Sequence, residues 1–211
     1  MASSQLVAPE LAAIKVQGTT REAFLIRATL AAGATYGALS ATPFITRALA
    51  EGGGDVDILN YALTLEYLEA EFYTLGVKRV KGLSSDELKL AKEIRDNEDE
   101  HVDALAATVK KLGGKAVAKP TFDFGGAFGS RAVFLKTANV LEDAGVSAYN
   151  GAGPLIESVD VLAAAGSIVQ VEARHAALIR LARSKPPAPL AFDKAATKDA
   201  ILKKVTPFIT S

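Results

Sequence analysis

Apolar side chains recur every three or four residues over most of the chain after residue 54, which is the period of helices with one buried face. The first such segment carries Ile58, Ala62, Leu65, Leu68, Phe72 and Leu75. The second carries Leu88, Ala91, Ile94, Leu105 and Val109. No segment alternates apolar and polar residues strongly enough to predict a strand. The pattern therefore predicts an all-α protein.

Capping residues and glycines predict where the first two helices begin and end. We expect the first helix to begin with Asp55 or Asp57 as its N-cap and to end near residue 80. A serine at position 84 or 85 can cap the second helix. Glu87 lies three residues after Ser84, where it can complete a capping box. Two consecutive glycines, at positions 113 and 114, should end this helix.

The third and fourth helices are predicted beyond a long connection, residues 115–129, which has no helical period and contains several glycines and aromatic side chains. We expect the connection to lie along the bundle surface, so that the third helix begins at the same end as the second. Ser130 should cap the third helix, which runs to about Asn150. A Gly-Ala-Gly-Pro break then precedes a fourth helix over roughly residues 160–183.

The predicted domain organisation has three parts. Residues 1–53 form an N-terminal extension, residues 54–184 form a four-helix bundle, and residues 185–211 form a Pro-rich C-terminal tail with a short helix.

Composition excludes several kinds of chemistry. The 211 residues include 24 basic and 24 acidic side chains, without a block of like charge that would indicate a nucleic-acid partner. The chain has no cysteine, so it has no disulfide and no cysteine-ligated iron–sulfur cluster. Its only methionine is Met1, which leaves no internal thioether to ligate haem. We therefore expect no haem, no iron–sulfur cluster and no nucleic-acid partner.

The N-terminal extension has the outline of an export signal. Arg21 precedes a mildly apolar run over residues 28–45, and the small-residue motif Ala48-Leu49-Ala50 follows. Residues 19–25 resemble a twin-arginine signal but carry one arginine where that signal has two. This predicts a protein of the cell envelope with membrane contact through this segment alone. The alternative is a cytoplasmic protein whose uncleaved extension is a packing helix.

The most informative motif involves the two histidines of the chain. Each follows a glutamate by three residues, in Glu98-x-x-His101 and Glu172-x-x-His175. Residues three apart share a helix face, so each pair can direct a carboxylate and an imidazole to one point. Two such pairs on two helices are what a dinuclear metal site in a helical bundle requires.

Two further glutamates lie level with these motifs. Glu66 and Glu98 are equally far from the first predicted turn, and Glu142 and Glu172 are equally far from the second break. Antiparallel helices bring such residues opposite each other. Each hairpin should therefore present two glutamates halfway along the bundle.

The same order of residues occurs in both halves of the bundle. Glu66 is followed seven residues later by Tyr73, and Glu142 is followed seven residues later by Tyr149. Seven residues make two helical turns, so each tyrosine shares a face with its glutamate. The repeat predicts a pseudo-two-fold site in which each half mainly ligates one metal ion.

Four carboxylates and two imidazoles suit two divalent ions of intermediate hardness, iron first and manganese second. Glu98 and Glu172 would bridge the ions, and the other two glutamates would be terminal ligands. The predicted metal ligands are Glu66, Glu98, His101, Glu142, Glu172 and His175.

Several residues near these positions have structural explanations as well. Tyr73 and Tyr149 can be core residues with a hydrogen-bonded hydroxyl, or they can support the metals in a redox role. Glu69 could be a seventh ligand, although a supporting or exposed role is the simpler expectation. Arg95 and Asn139, each three residues before a predicted ligand, could hydrogen-bond the ligands.

Taken together, Glu66 with Tyr73, Glu142, and the two Glu-x-x-His motifs resemble the di-iron ligand pattern of the ferritin-like superfamily. Their spacing is similar to that of rubrerythrin and bacterioferritin. Residues 63–73, LTLEYLEAEFY, resemble bacterial ferritin-like domain proteins of the desiccation-related type. The resemblance extends over roughly residues 55–183. It implies a ferritin-like four-helix bundle with a long crossover between helices 2 and 3.

The resemblance also implies a non-haem di-iron site that reacts with oxygen or peroxide. Two features depart from the relatives. Without cysteine the chain lacks a rubredoxin-type electron-transfer module, and without an internal methionine it lacks the haem-binding feature of bacterioferritin.

Three functions remain open at this point. The first is an oxidase, ferroxidase or peroxide-reacting activity at a di-iron centre, with Tyr73 and Tyr149 assisting. The second is a di-manganese, catalase-like enzyme. The third is a non-enzymatic metal-binding or stress-protective structural protein. Association into a homo-oligomer is compatible with each of them.

Overall fold

The computed structural model describes residues 54–210, and this part of the chain is all-helical, as predicted. Its α-helices are α1 (Asp55–Arg79), α2 (Ser85–Lys111), α3 (Arg131–Ala152), α4 (Val159–Ala182) and α5 (Lys198–Val205). The extended pairing in this range is a single bridge between Phe122 and Ile209. None of these helices combines the length and the apolar composition that crossing a membrane requires. The N-terminal extension and its signal hypothesis lie outside the described residues.

The helix ends agree with the sequence in two places and differ in one. The Ser84 side chain accepts the Glu87 N–H and Glu87 accepts the Ser84 N–H, which is the predicted capping box. The Ser130 hydroxyl caps α3, also as predicted. By contrast, the N-cap of α1 is Gly54, and no side chain caps this helix.

Asp55, the expected cap of α1, instead serves the start of α4. Its carboxylate accepts the N–H groups of Glu157 and Ser158 at 2.8 and 2.9 Å. Unpaired N–H groups at a helix start favour a negative charge, so a carboxylate from the neighbouring helix is stabilising there.

Contacts at the two ends of the bundle fix the helix directions. The Asp55 contacts bring the beginnings of α1 and α4 to one end. At the other end, Arg131 at the beginning of α3 forms an ion pair with Glu87 near the beginning of α2. The second and third helices therefore begin at the same end, which is the predicted topology with a long crossover.

The crossover follows α1 for most of its length. The Asn60 side chain donates to the Lys115 carbonyl at 3.1 Å and accepts the Val117 N–H at 2.8 Å. Farther along, Lys119 pairs with Glu71 at 2.6 Å. These contacts attach the segment to one side of the first helix.

The aromatic residues of the crossover are buried or partly buried, although its backbone lies along the bundle. Phe124 and Ala127 are each 5% exposed, and the Phe124 ring meets Phe72 edge-on at 5.3 Å. Phe122 and Phe128 also pack against this core. Burial of large rings stabilises the segment more than exposure would, so it inserts its aromatic side chains while its backbone follows α1.

The bundle core consists of two hydrophobic clusters. One includes Phe72, Ile94 and Phe134, toward the end where α2 and α3 begin. The other includes Leu63 and Val109, toward the opposite end. Positions between these clusters on all four long helices are occupied by acidic residues and histidines.

The C-terminal segment closes against the outside of α3, in line with the expected short terminal helix. Ile201 and Val205 of α5 are buried and join the first hydrophobic cluster. The Ala196 N–H donates to the Ser147 carbonyl at 2.9 Å. At Gly151 a Cβ atom would lie 1.9 Å from the Ala196 carbonyl oxygen, so this close approach requires glycine.

Candidate metal centre

The structure brings all six predicted ligands together in the middle of the bundle. The four glutamates are fully buried, and His101 and His175 are 8% and 3% exposed. Buried ionisable side chains are rare unless they are paired or bind metals, so six in one place need a specific explanation. That these six residues bind a metal stays a prediction, which their arrangement supports.

His101 faces three carboxylates. Its Nδ1 atom lies 3.2 Å from Oε2 of Glu66, 3.2 Å from Oε2 of Glu98 and 3.0 Å from Oε1 of Glu172. We refer to these four residues as the His101 position.

His175 faces a matching set from the other half. Its Nδ1 atom lies 2.9 Å from Oε1 of Glu98, 3.6 Å from Oε2 of Glu142 and 4.0 Å from Oε2 of Glu172. We refer to these four residues as the His175 position.

Glu98 and Glu172 are shared between the two positions. Each places one carboxylate oxygen beside His101 and the other beside His175. Within each position the ligand atoms all lie within 4.8 Å of one another, which is close enough to surround one cation. This is the arrangement expected of two bridging and two terminal glutamates.

The tyrosines connect the two halves. The Tyr149 hydroxyl donates to Oε1 of Glu66 at 2.5 Å, and the Tyr73 hydroxyl donates to Oε1 of Glu142. Each tyrosine therefore holds the terminal glutamate of the opposite hairpin and not the one seven residues before it. Outer hydrogen bonds of this kind orient ligands and influence how tightly a metal binds.

Without a metal, the centre retains protons. Burial opposes charge on the imidazoles, but the surrounding carboxylates outweigh it and raise the pKa of His101 to about 12 and that of His175 to about 10. Burial raises the pKa of Glu66 to about 8 and that of Glu172 well above its usual range. Glu98 is the exception: burial opposes its charge, but the two imidazoles beside it stabilise the carboxylate and lower its pKa to about 2.

Unpaired polar atoms show that these residues fit a cation. Oε1 of Glu98, Oε2 of Glu142 and both oxygens of Glu172 are buried without a hydrogen-bond partner. Nδ1 of His175 approaches Glu98 closely but without hydrogen-bond geometry, and it has no other partner. Leaving such groups unsatisfied is costly, and a coordinated ion would satisfy all of them. The cluster could therefore bind a metal ion, and carboxylates with imidazoles favour iron, manganese or zinc.

One residue that contacts the cluster was not predicted from the sequence. Two others were predicted to hydrogen-bond the ligands and do not. The Asn97 carboxamide lies 3.0 Å from Nε2 of His175, on the ring edge away from the carboxylates. The Asn97 atom in this contact is the amide nitrogen Nδ2, which can donate to Nε2 and so help to fix the orientation of the imidazole ring. Arg95, by contrast, pairs with Asp96, and Asn139 bonds to Asp143, so neither touches a predicted ligand.

An apolar pocket lies next to the centre. Tyr149 forms part of its wall, and the same tyrosine donates to Glu66. The pocket is lined by Ile58, Leu59, Tyr61, Ala62, Leu65, Ala148, Tyr149, Ala152, Ile156 and Ala165. Its lining residues come mainly from α1, α3 and α4, and it lies on one side of the cluster.

Comparison with known proteins agrees with the fold. Residues 54–185 match the family model of the ferritin-like domain, which is more than half of the chain. A search of curated proteins gives no significant match. The matched residues are those that form the four long helices, and all six predicted ligands lie among them. On this match the chain belongs to the ferritin-like domain family.

Proposed function

We propose that this protein binds two transition-metal ions, iron in the first place, in the buried glutamate and histidine cluster, and that the loaded centre reacts with oxygen or peroxide. The observation that supports this best is the sharing of Glu98 and Glu172 between two four-ligand positions. Ordinary surface ion pairs would not bury two carboxylates and place the two oxygens of each beside different histidines.

The charge of the cluster supports a pair of divalent ions. The two terminal and two bridging glutamates bring four negative charges when ionised, and two divalent ions would balance them. Without the ions, the pKa values of Glu66 and Glu172 are raised, so these carboxylates hold protons in place of the metal charge. Metal binding should therefore displace protons.

The chain's own residues would prepare the chemistry. Two ferrous ions held by these residues would supply the electrons for reduction of oxygen or peroxide. The Tyr149 and Tyr73 hydroxyls orient the terminal glutamates and present a proton next to them. The hydrophobic clusters on either side exclude bulk water from the centre. The apolar pocket beside Tyr149 suits a small, weakly polar substrate such as oxygen.

A reaction experiment tests the activity. Metal-free protein is loaded anaerobically with ferrous ions and mixed in a stopped-flow instrument with oxygen or with hydrogen peroxide, while absorbance reports iron oxidation. We expect oxidation faster than that of free ferrous ions with at least one oxidant. Replacing Glu98 and Glu172 by Gln should abolish the acceleration.

Manganese loading tests the alternative chemistry in the same protein. Oxygen release from peroxide by the manganous form, without a fast reaction of the ferrous form, would favour a catalase-like enzyme. Two tightly held ions that react with neither oxidant would show that the centre is structural and would contradict the proposed activity.

A further inference from the structure

Glu69 is a fifth glutamate at the centre that belongs to neither position. It is 2% exposed, and both of its carboxylate oxygens are buried without a hydrogen-bond partner. A buried carboxylate of this kind is costly unless something else satisfies it.

The Glu69 carboxylate lies near a Glu172 oxygen of the His175 position. A Cβ atom at Gly145 would lie 3.3 Å from Oε1 of Glu69 and 3.4 Å from Oε2 of Glu172. Both carboxylates therefore meet in the space next to this glycine. Oε2 of Glu172 is the oxygen that faces His175, while Oε1 faces His101.

The charges around Glu69 agree with this placement. Burial raises the pKa of Glu69 well above its usual range, and the neighbouring glutamates, Glu172 first among them, raise it further.

The internal repeat shows that Glu69 breaks the pseudo-symmetry. An offset of 76 residues relates Glu66 to Glu142 and also relates Tyr73 to Tyr149. The same offset relates Glu69 to Gly145. The first half therefore has an additional carboxylate, Glu69. The second half has a glycine, Gly145, at the equivalent position, and the Glu69 carboxylate lies next to that glycine.

We propose that Glu69 is a further metal ligand at the His175 position, so that the two positions differ in ligand number and affinity. This rests on the proposed dinuclear site. Without Glu69, each position has one histidine, one terminal glutamate and two shared glutamates. An added anionic oxygen should make the His175 position the tighter one and increase its preference for hard cations.

Calorimetric titration with manganous ions, and spectroscopic titration with cobaltous ions, test this on metal-free protein without oxygen. We expect the unmodified protein to bind two ions in steps of unequal affinity. Glu69→Gln should still bind two ions, but its tighter step should weaken by at least about tenfold, and the cobalt spectrum should change as one ligand is lost. Gly145→Ala, which forces both carboxylates to shift, should weaken the same step.

Glu71→Gln is the matched control, because Glu71 is on the same helix and pairs with Lys119 away from the centre. It should bind both ions like the unmodified protein. Unchanged affinities and an unchanged cobalt spectrum in Glu69→Gln would overturn the proposal while leaving the dinuclear site intact. Failure of the unmodified protein to bind either ion would instead contradict the proposed function.

Discussion

Two tyrosine hydroxyls determine how the terminal glutamates of this centre are held. Tyr149 comes from α3 and donates to Glu66 of α1, while Tyr73 comes from α1 and donates to Glu142 of α3. The hydrogen bonds therefore cross between the hairpins at the level of the ligands. Each half of the bundle therefore orients a buried glutamate of the other half.

Loss of the Tyr149 hydroxyl should affect one metal position. In Tyr149→Phe, one oxygen of Glu66 loses its donor, so we expect weaker binding at the His101 position by about tenfold to a hundredfold. Calorimetric titration with manganous ions measures this, and the number of bound ions should stay at two. Tyr67→Phe, which removes the hydroxyl of a partly exposed tyrosine on α1, is the control. Equal affinities in both variants would show that the Tyr149 bond has no role in binding.

The proton content of the centre predicts how stability depends on pH. In the metal-free protein His175, His101 and Glu66 have raised pKa values of about 10, 12 and 8. Raised values mean that the folded state binds more protons than the unfolded state, so stability falls as pH rises toward these values. Glu98 acts in the opposite sense, since its pKa of about 2 removes stability only in strong acid.

We therefore expect the melting temperature of the metal-free protein to decrease from about pH 6 to about pH 9. Added manganous ions displace the protons, so the stabilisation that they give should increase over the same range. Circular dichroism with and without a chelator measures both effects. A metal-free melting temperature that rises across this range would contradict the account of the buried charges.

The sequence predicted the six central residues because helix geometry alone places them. A spacing of three residues fixes the shared face of Glu98 and His101, and equal distances from a turn fix the level of Glu66 against Glu98. The partner of Tyr149 could not be predicted in this way, because it depends on the distance between hairpins. The burial of Glu69 likewise depends on a glycine in another helix.

At the scale of the helices, close packing of α1 against α3 depends on one glycine. A Cβ atom at Gly76 would lie 2.3 Å from the ring of Phe134, which itself stacks on Phe72 at 5.1 Å. The rings surround this contact on several sides, so there is little room for adjustment. Small residues of this kind set how near two helices can lie.

Gly76→Ala should therefore destabilise the bundle, by about 1–3 kcal/mol, since overpacked cores force side chains and backbone to shift. Gly166→Ala is the matched control, because Gly166 is also helical and its Cβ atom would meet nothing within 4 Å. It should leave stability unchanged or increase it by up to about 1 kcal/mol. Urea unfolding of both metal-free variants measures the difference, and equal effects would refute the packing argument.

Helix ends were predictable where the cap is local and not where it comes from another helix. The Ser84 and Glu87 capping box involves neighbours in sequence, and the structure contains it. Asp55 is a residue type that often caps its own helix, but its carboxylate accepts no N–H group there, because it accepts those at the beginning of α4. The crossover shows the same limit, since the burial of Phe124 depends on a groove formed by several helices.

At the scale of the whole molecule, the described bundle has an internal two-fold pattern, which Glu69 and Gly145 break. The two hairpins supply equivalent glutamates, tyrosines and histidines, and the long crossover allows them to face each other. Helix number, order and direction followed from the sequence, because periodicity and turn residues are local signals.

Metal content per chain is the measurement that tests the central claim most directly. Protein loaded anaerobically with ferrous or manganous ions is washed and measured by mass spectrometry, in parallel with the Glu98→Ala, Glu172→Ala double variant. We predict two tightly held ions in the unmodified chain and loss of binding in a variant that remains helical by circular dichroism. Two ions in the double variant, or less than about half an ion in well-folded unmodified protein, would contradict a dinuclear centre built on these shared glutamates.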